Sequence, residues 1–390
     1  MKSPKVPLPK SFILAIISDC SKGRFLLRIR ILDIYIFREV IMAAIFGICA
    51  FSAVFIGSGT LFKIARFITD YGASVYSVIK IFVYGLPAII MWTFPMSMLL
   101  ATLLTFGRLS SSSEITAMKS CGISFTRIAA PAIILGFIFS ICAILFNEHV
   151  VPWANTAYNN VVYYEIQGNT ELKSQDHIIV KEIQNDVLQR LVYAREYRAG
   201  DETLQGVTMQ EFDKEGKLTH VENASYAEWK NDVWIMHEGI IYDISDDEKT
   251  RTMRFEKQIL PVKASPRQIV REQKKPEELT MKELKAQIAI MKTQFANTAK
   301  LETELYQRIT VPMASLVFAL IGVPLGLQPT RNSSSAGFAI SVVIIFIYYS
   351  IMTLSNALAR GDIVDPMYAV WIPNVIGLIF GAFLIYRASR

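Results

Sequence analysis

The stretch IFVYGLPAIIMWTFPMSMLLATLLTF, Ile81–Phe106, decides the fold class of this 390-residue chain. It carries no charged side chain, and it is longer than the roughly 20 apolar residues that a helix needs to cross a hydrocarbon core of about 30 Å. Lipid offers backbone polar groups no hydrogen-bond partner, so such a stretch must be helical. Five more stretches share these properties: Val40–Phe62, Ile128–Phe146, Ile309–Thr330, Asn332–Ala359 and Pro366–Tyr386. The sequence therefore predicts a membrane protein with six transmembrane helices.

The middle of the chain has a different composition. Hydrophobic residues make up 52% of the chain and charged residues only 19%, against about a quarter in soluble domains. Most of the Asp and Glu lies in the middle third. From about His149 to Pro276, apolar and polar residues alternate with period two, as in DVWIMHEGIIYDI at Asp232–Ile244. Short strands at regular spacing predict an inserted all-β domain, a sandwich or jelly roll.

The placement of Lys and Arg predicts the orientation of the spans. Basic residues are concentrated before the first span and indicate a cytoplasmic N-terminus beside anionic lipid. They are Lys2, Lys5, Lys10, Lys22, Arg24, Arg28, Arg30 and Arg38. Six spans then return the C-terminus to the cytoplasm, and the β domain falls in the periplasm of a bacterium with two membranes. No recognition motif accompanies the basic charge, so nucleic acid is not an expected partner.

These patterns divide the chain into four parts. A cytoplasmic basic segment covers residues 1–38, and three spans follow in residues 39–148. The periplasmic β-jelly-roll domain takes residues 149–278, and an amphipathic connector helix with three further spans takes residues 279–390. Thr280 and Glu283 have the spacing of a capping box, which predicts that the connector helix runs from Met281 to about Tyr306.

Motifs for catalysis or metal binding are missing from the sequence. The four histidines are scattered at His149, His177, His220 and His237, and the four cysteines form no CxxC pair. No HExxH, GxSxG or GxxxxGK[ST] pattern occurs. We therefore expect no catalytic residue, metal or cofactor in this chain, and no hydrolysis of nucleotide by it.

Two small groups of residues suggest chemistry at the ends of the spans. Ser111 and Glu114 have capping-box spacing, and Gly122 suits a helix stop, which predicts a short helix at about residues 109–122 between the second and third spans. Lys63 and Arg66 follow the first span, three residues apart on one helical face. Basic residues at a periplasmic end run against the inside-positive trend. They either snorkel into headgroups or bind phosphate as charge-assisted donors.

Several motifs together resemble the lipopolysaccharide export permeases, the LptF/LptG family. The resemblance covers about residues 31–390, and the order and spacing of the motifs carry it. They are LDIYIFREV at Leu32–Val40, FPMSMLLATLLTFGRLSSSSEITAMKSCGIS at Phe94–Ser124, NEHVVP at Asn147–Pro152, RITVPMASLVFALIGVPLGL at Arg308–Leu327 and WIPN at Trp371–Asn374.

The resemblance implies a set of partners. Two such permeases pair, or one pairs with a second copy of itself, and a cytoplasmic ABC ATPase dimer that binds ATP and Mg drives them. They lift lipopolysaccharide from the inner membrane and pass it to a periplasmic jelly-roll bridge protein. The sequence leaves open whether this chain is an F-type or a G-type subunit or forms a homodimer.

The resemblance also implies roles for individual residues. Glu114, with Ser111, Met118 and Gly122, would belong to a coupling helix seated in a groove of the ATPase; a plain helix cap is the other interpretation of Glu114. Lys63 and Arg66 would contact lipid phosphates. Inward-facing strand residues would form a slide for acyl chains, or else a closed core: Ile178, Val180, Leu191, Tyr193, Trp234 and Met236.

Two other functions remain compatible with the sequence. An ATPase-coupled mechanotransmission or envelope-assembly protein would use the same spans and coupling helix without moving lipid itself. A secondary transporter would need ionisable groups at mid-membrane. The absence of charges from all six predicted spans counts against it.

Overall fold

The computed structural model describes residues 31–166, 174–184, 187–213, 217–244, 250–262, 264–266, 268–269, 274–293, 296–327 and 334–389. The basic residues Lys2 to Arg30, on which much of the predicted orientation depends, lie outside this set. The chain divides into a helical unit, residues 1–166 with 276–390, and a β unit, residues 167–275.

The helical unit begins with a first span in three pieces. Helix α1 is Ile31–Phe55, a π-helical turn covers Ile56–Thr60, and helix α2 is Leu61–Tyr71. The remaining helices are α3 Val75–Ser111, α4 Glu114–Ser120, α5 Phe125–Asn160 with a π-helical turn at Val161–Ile166, α6 Met281–Thr293, α7 Ala299–Leu325, α8 Ser334–Arg360 and α9 Pro366–Ser389. Within the described residues, six helical segments are long and apolar enough to cross a membrane, as the sequence predicts.

Helix α5 and its π-helical turn continue through residues 149–166. The alternating sequence pattern predicts these residues to be part of the β domain. Tertiary contacts hold this extension. The Asn155 side chain donates to the carbonyl oxygen of Glu277 at 3.0 Å, and the Asn159 side chain donates to Glu278 Oε1 at 2.5 Å. Such contacts join residues more than a hundred positions apart, so local periodicity does not reveal them.

The connector helix starts as predicted and ends early. The Thr280 N–H donates to Glu283 Oε2 at 2.8 Å, and the Glu283 N–H donates to Thr280 Oγ1 at 3.3 Å, which confirms the capping box. Glu148 adds a second carboxylate at this helix start, accepting the Met281 N–H at 3.1 Å. Helix α6 ends at Thr293, and a separate helix, α7, begins at Ala299.

Helices α3 and α7 form the centre of the helical unit, and they approach closely at small residues. A Cβ built on Gly322 would overlap Thr102 Oγ1 and lie 3.2 Å from the Leu99 carbonyl oxygen. Close backbone approach at small residues is a general means of packing membrane helices. In contrast, the first span and α8 leave many large apolar side chains exposed, such as Phe46 and Phe346. These exposed faces are suited to lipid or to another helix.

We expect Gly322→Ala to destabilise the helical unit, because Thr102 and the α3 backbone would have to move apart. Overpacking of this kind costs about 1–3 kcal/mol. Thermal unfolding in detergent, followed by near-UV circular dichroism, measures the change. Gly107→Ala is the matched control on α3: the nearest contact of its Cβ would be the Gly326 carbonyl oxygen at 3.8 Å, an ordinary distance. Equal stability of the two variants would contradict the prediction.

The β unit contains one six-stranded antiparallel sheet. The strands are β1 Gln175–Gln184, β2 Val187–Arg198, β3 Thr203–Phe212, β4 Leu218–Lys230, β5 Val233–Ile244 and β6 Thr250–Leu260. Each strand pairs with the next along the chain. The inserted all-β domain is therefore confirmed, and its described strands form a consecutive meander.

A crease crosses the whole sheet. At the crease the pairing passes over one position in each strand, and these positions neighbour one another from strand to strand: His177, Arg195, Gly206, Ser225, Glu238 and Glu256. Three of them, His177, Gly206 and Glu238, have left-handed backbone, with φ of 57°, 60° and 52°. Such irregularities bend strands and interrupt the alternation of side chains.

The crease places side chains from both halves of the sheet in one apolar core. Ala194 and Tyr197 are three residues apart in β2, so regular alternation would put them on opposite faces, yet both belong to this core. The core also contains Ile178, Val192, Leu204, Val207, Met209, Ala227, Trp234 and Met236.

Candidate functional site

Helix α4 lies between the second and third spans and is shorter than predicted. Its N-cap is Ser113, in left-handed backbone with φ 61°, and Gly122 follows its end with φ 81°. The Gly122 N–H donates to the Lys119 carbonyl oxygen at 2.9 Å, so the predicted stop is confirmed. The predicted capping box between Ser111 and Glu114 is wrong. Ser111 Oγ donates instead to the Arg108 carbonyl oxygen at 2.9 Å, because Ser111 is still the last residue of α3.

Glu114 is tied to the first span. Tyr35 Oη, on α1, donates to Glu114 Oε2 at 3.0 Å, and Ser112 Oγ donates to Glu114 Oε1 at 2.9 Å. Beside them, the Arg108 guanidinium forms an ion pair of 2.7 Å with Glu39 of α1. Two polar links therefore join the α4 region to α1.

Met118 does not face outward with Glu114. It is buried, with 6% of its surface exposed, and it packs with Ile115 into an apolar cluster that includes Ile36 of α1 and Phe106 of α3. A direct contact between Met118 and another protein would need this cluster to open. Met118 instead packs α4 against the spans.

Lys63 and Arg66 lie on α2, between the π-helical turn and a left-handed C-cap at Gly72 with φ 63°. Both side chains are exposed. Among the residues that the structure describes, neither side chain has an ion-pair partner.

The predicted slide residues do not share one face of the sheet. Ile178 pairs with Ala194, and Val180 pairs with Val192, on the face that contributes to the apolar core. Leu191 and Tyr193 occupy the alternating positions of β2 and point to the opposite face. Trp234 and Met236 belong to the core, and both are fully buried. Four of the six residues are therefore brought together, and Leu191 and Tyr193 are not.

Among the described residues of the β unit, one carboxyl group is buried. Glu222 is 7% exposed and pairs in register with Met209 and Ile241. Gln258 Nε2 donates to Glu222 Oε1 at 3.0 Å. Burial raises the pKa of the Glu222 carboxyl, and the hydrogen bond from Gln258 opposes part of that rise.

The raised pKa of Glu222 makes the β unit more stable in mild acid. A raised folded-state pKa contributes stability below the unfolded value near 4.5, and this stability is lost as pH rises through the folded pKa. We therefore expect Glu222→Gln to increase protection of β4 and β5 amides at pH 7 and to flatten its pH dependence. Hydrogen exchange of the full chain measures both. Asp213→Asn is the control, because Asp213 lies just after β3 and asparagine keeps the Oδ1 that accepts the Lys217 N–H at 2.8 Å; protection in β4 and β5 should be unchanged.

The sequence does not predict two of the residues that hydrogen-bond to Glu114, Tyr35 and Ser112. Tyr35 lies 79 positions before Glu114, and Ser112 is one of four consecutive serines. The sequence held one signal for Tyr35. Both Tyr35 and Glu39 belong to LDIYIFREV, one of the motifs that carry the family resemblance.

Taken together, the described residues define a polytopic membrane protein with a β domain inserted between its third and fourth spans. The family model of the lipopolysaccharide export system permease LptF/LptG matches residues 34–387, and the chain belongs to this family. It is 20% identical over 368 residues to the lipopolysaccharide export system permease protein LptG of Haemophilus influenzae, covering 93% of this chain and 99% of that protein. The chain is accordingly a transmembrane subunit of the lipopolysaccharide transport system, a permease component.

Proposed function

We propose that this chain uses ATP hydrolysis in a partner to extract lipopolysaccharide from the bacterial inner membrane and to pass it to a periplasmic bridge protein. The observation that carries the proposal is the hydrogen bond between Tyr35 and Glu114. It links a short helix suited to a partner's groove with the span whose far end carries Lys63 and Arg66.

The force path starts at α4. A cytoplasmic ABC ATPase dimer, holding ATP and Mg, moves α4 through Glu114. Tyr35 and the Arg108–Glu39 pair transmit this motion to α1. The π-helical turn at Ile56–Thr60 separates α1 from α2, and such turns often lie at functional sites. Rotation of α1 is therefore converted into movement of the Lys63 and Arg66 side chains.

The substrate is an acylated glycolipid whose phosphates bind Lys63 and Arg66. Exposing acyl chains to water costs about 0.8 kcal/mol per methylene, so extraction needs a continuous apolar path. The exposed apolar faces of the first span and α8 supply the lateral wall of that path, together with a second permease subunit. Ile178, Val180, Trp234 and Met236 form the slide in the β domain, which lies in the periplasm.

Photocrosslinking tests this function. A photoreactive amino acid at Phe62, next to Lys63, is expected to crosslink lipopolysaccharide in membranes without nucleotide. One at Val180 is expected to crosslink it only when ATP and the ATPase partner are present. An ATP-dependent change without any lipopolysaccharide crosslink would contradict transport and would favour the mechanotransmission function.

A further inference from the structure

Three of the four slide residues in the proposed function are closed off from water. Ile178 is 1% exposed, and Trp234 and Met236 are fully buried. An acyl chain cannot reach these side chains unless part of the β unit moves. The contacts that keep the apolar core closed therefore decide when the slide can be used.

The crease folds the two halves of the sheet over one another. Arg190 lies five positions before the crease position of β2, Arg195, and Pro261 lies five positions after that of β6, Glu256. In a flat sheet these two residues would be about 40 Å apart, at about 3.3 Å per residue and about 4.8 Å per strand. Arg190 Nη1 nevertheless donates to the Pro261 carbonyl oxygen at 3.3 Å. The apolar core, which takes side chains from both halves, therefore lies between them.

A row of ionisable side chains forms the rim of this core. Arg190 shares a face with Val192 and Ala194, the alternate positions of β2 that belong to the core. Each member of the row is paired with the next one on the neighbouring strand: Glu182, Arg190, Glu211, His220, Asp243 and Arg251. Arg190 Nη1 donates to Glu182 Oε2 at 2.7 Å, and Nη2 donates to Glu211 Oε1 at 2.6 Å. Burying charges in an apolar core costs free energy, so this row marks where the core ends and water begins.

The chain that follows β6 covers the core from this rim. We call its described residues, 261–262, 264–266 and 268–269, the cover segment. Ile269 is 1% exposed within the core, and Val262 and Ala264 pack against the same core. Trp234 Nε1 donates to the Ala264 carbonyl oxygen at 2.9 Å. Arg190 and Trp234 thus hold the cover segment, one at its start and the other three positions further along.

We propose that the cover segment is a gate to the slide and that Arg190 is its latch. When Arg190 releases the Pro261 carbonyl oxygen, the cover segment moves off the rim, and acyl chains enter the core beside Val180. The strand ladders stay intact during this movement. The guanidinium remains paired with Glu182 and Glu211, so opening leaves no charge unpaired. The gate regulates the slide of the proposed function and rests on that function for the identity of the substrate.

Hydrogen exchange of the full chain tests the latch. Arg190→Gln is expected to raise the exchange rate of the Ile269 amide, which donates to the Ser265 carbonyl oxygen at 2.9 Å. One lost hydrogen bond corresponds to an increase of about tenfold. Amides of β3 are expected to keep their protection, because the sheet stays folded. Arg198→Gln is the matched control on β2, since Arg198 Nε donates to Glu196 Oε2 of the same strand at 3.3 Å.

A chemical lock tests the gate. In a chain whose native cysteines are replaced by serine, Arg190→Cys and Pro261→Cys are joined by a short bismaleimide. The linked chain is expected to lose the ATP-dependent lipopolysaccharide crosslink from a photoreactive amino acid at Val180 and to keep the crosslink at Phe62. The unlinked cysteine pair and Arg190→Gln are both expected to crosslink at Val180 without ATP. Arg198→Gln should still require ATP.

Three results would overturn the gate. They are unchanged exchange at Ile269 in Arg190→Gln, faster exchange throughout β3, which would make Arg190 a support of the whole sheet, and a crosslink at Val180 that persists in the linked chain. In each case the crosslink at Phe62 is retained, and the gate alone is wrong. Loss of lipopolysaccharide crosslinking at Phe62 in the unmodified chain would instead contradict the proposed function.

Discussion

Replacement of Glu114 by alanine is expected to reduce ATP-driven lipopolysaccharide export by about tenfold or more. The change removes the acceptor for Tyr35 and Ser112 and the carboxylate that we propose contacts the ATPase. Hydrogen bonds to charged groups contribute about 1.5–3 kcal/mol, and 1.4 kcal/mol corresponds to a factor of ten. Release of lipopolysaccharide from proteoliposomes that contain the whole transporter measures the loss.

Tyr35→Phe separates the two functions of Glu114. It keeps the carboxylate and removes one donor, so the ATPase should still copurify while export falls by roughly threefold to tenfold, the equivalent of one lost hydrogen bond. Ser120→Ala is the control on α4, because the Ser120 hydroxyl only donates to the Thr116 carbonyl oxygen within the helix. Normal export by Glu114→Ala in a normally assembled complex would reject the coupling proposal.

The membrane architecture could be predicted because its cause is local. A charge-free stretch such as Ile81–Phe106 leaves the chain no alternative to a helix in lipid, whatever the rest of the sequence contains. The Thr280–Glu283 capping box is also local, and it forms where its spacing predicts. The same spacing at Ser111 and Glu114 predicts a capping box that does not form, because α3 continues through Ser111.

Features that depend on distant pairing could not be predicted. The faces of β2 follow from its register with β1, which pairs Ile178 with Ala194 and Val180 with Val192. Sequence alternation alone groups Leu191 and Tyr193 with Ile178, whereas in the structure they point away from the face that carries Ile178. Tyr35 illustrates the same limit in the helical unit, since only the fold brings it to Glu114.

The double variant Lys63→Ala, Arg66→Ala is expected to lower lipopolysaccharide binding by about tenfold to a hundredfold. In the proposed function each cation donates charge-assisted hydrogen bonds to phosphate, and hydrogen bonds to charged groups contribute about 1.5–3 kcal/mol. Both side chains are exposed, so salt screens part of this attraction. The yield of lipopolysaccharide crosslinked at Phe62, measured at low and at high ionic strength, reports the loss.

The charge-preserving exchange Lys63→Arg, Arg66→Lys is a control for the alanine pair, and the alanine pair is the variant that separates phosphate binding from snorkelling. Both interpretations allow this exchange to keep binding near the unmodified level, but they differ for the alanine pair. If the two cations only anchor α2 among headgroups, the alanine pair will bind phosphorylated and dephosphorylated lipopolysaccharide as the unmodified chain does. If they hold the phosphates, the alanine pair will lose affinity for the phosphorylated form alone. Thr69→Ala, exposed on the same helix, should change neither affinity, since it leaves both charges in place.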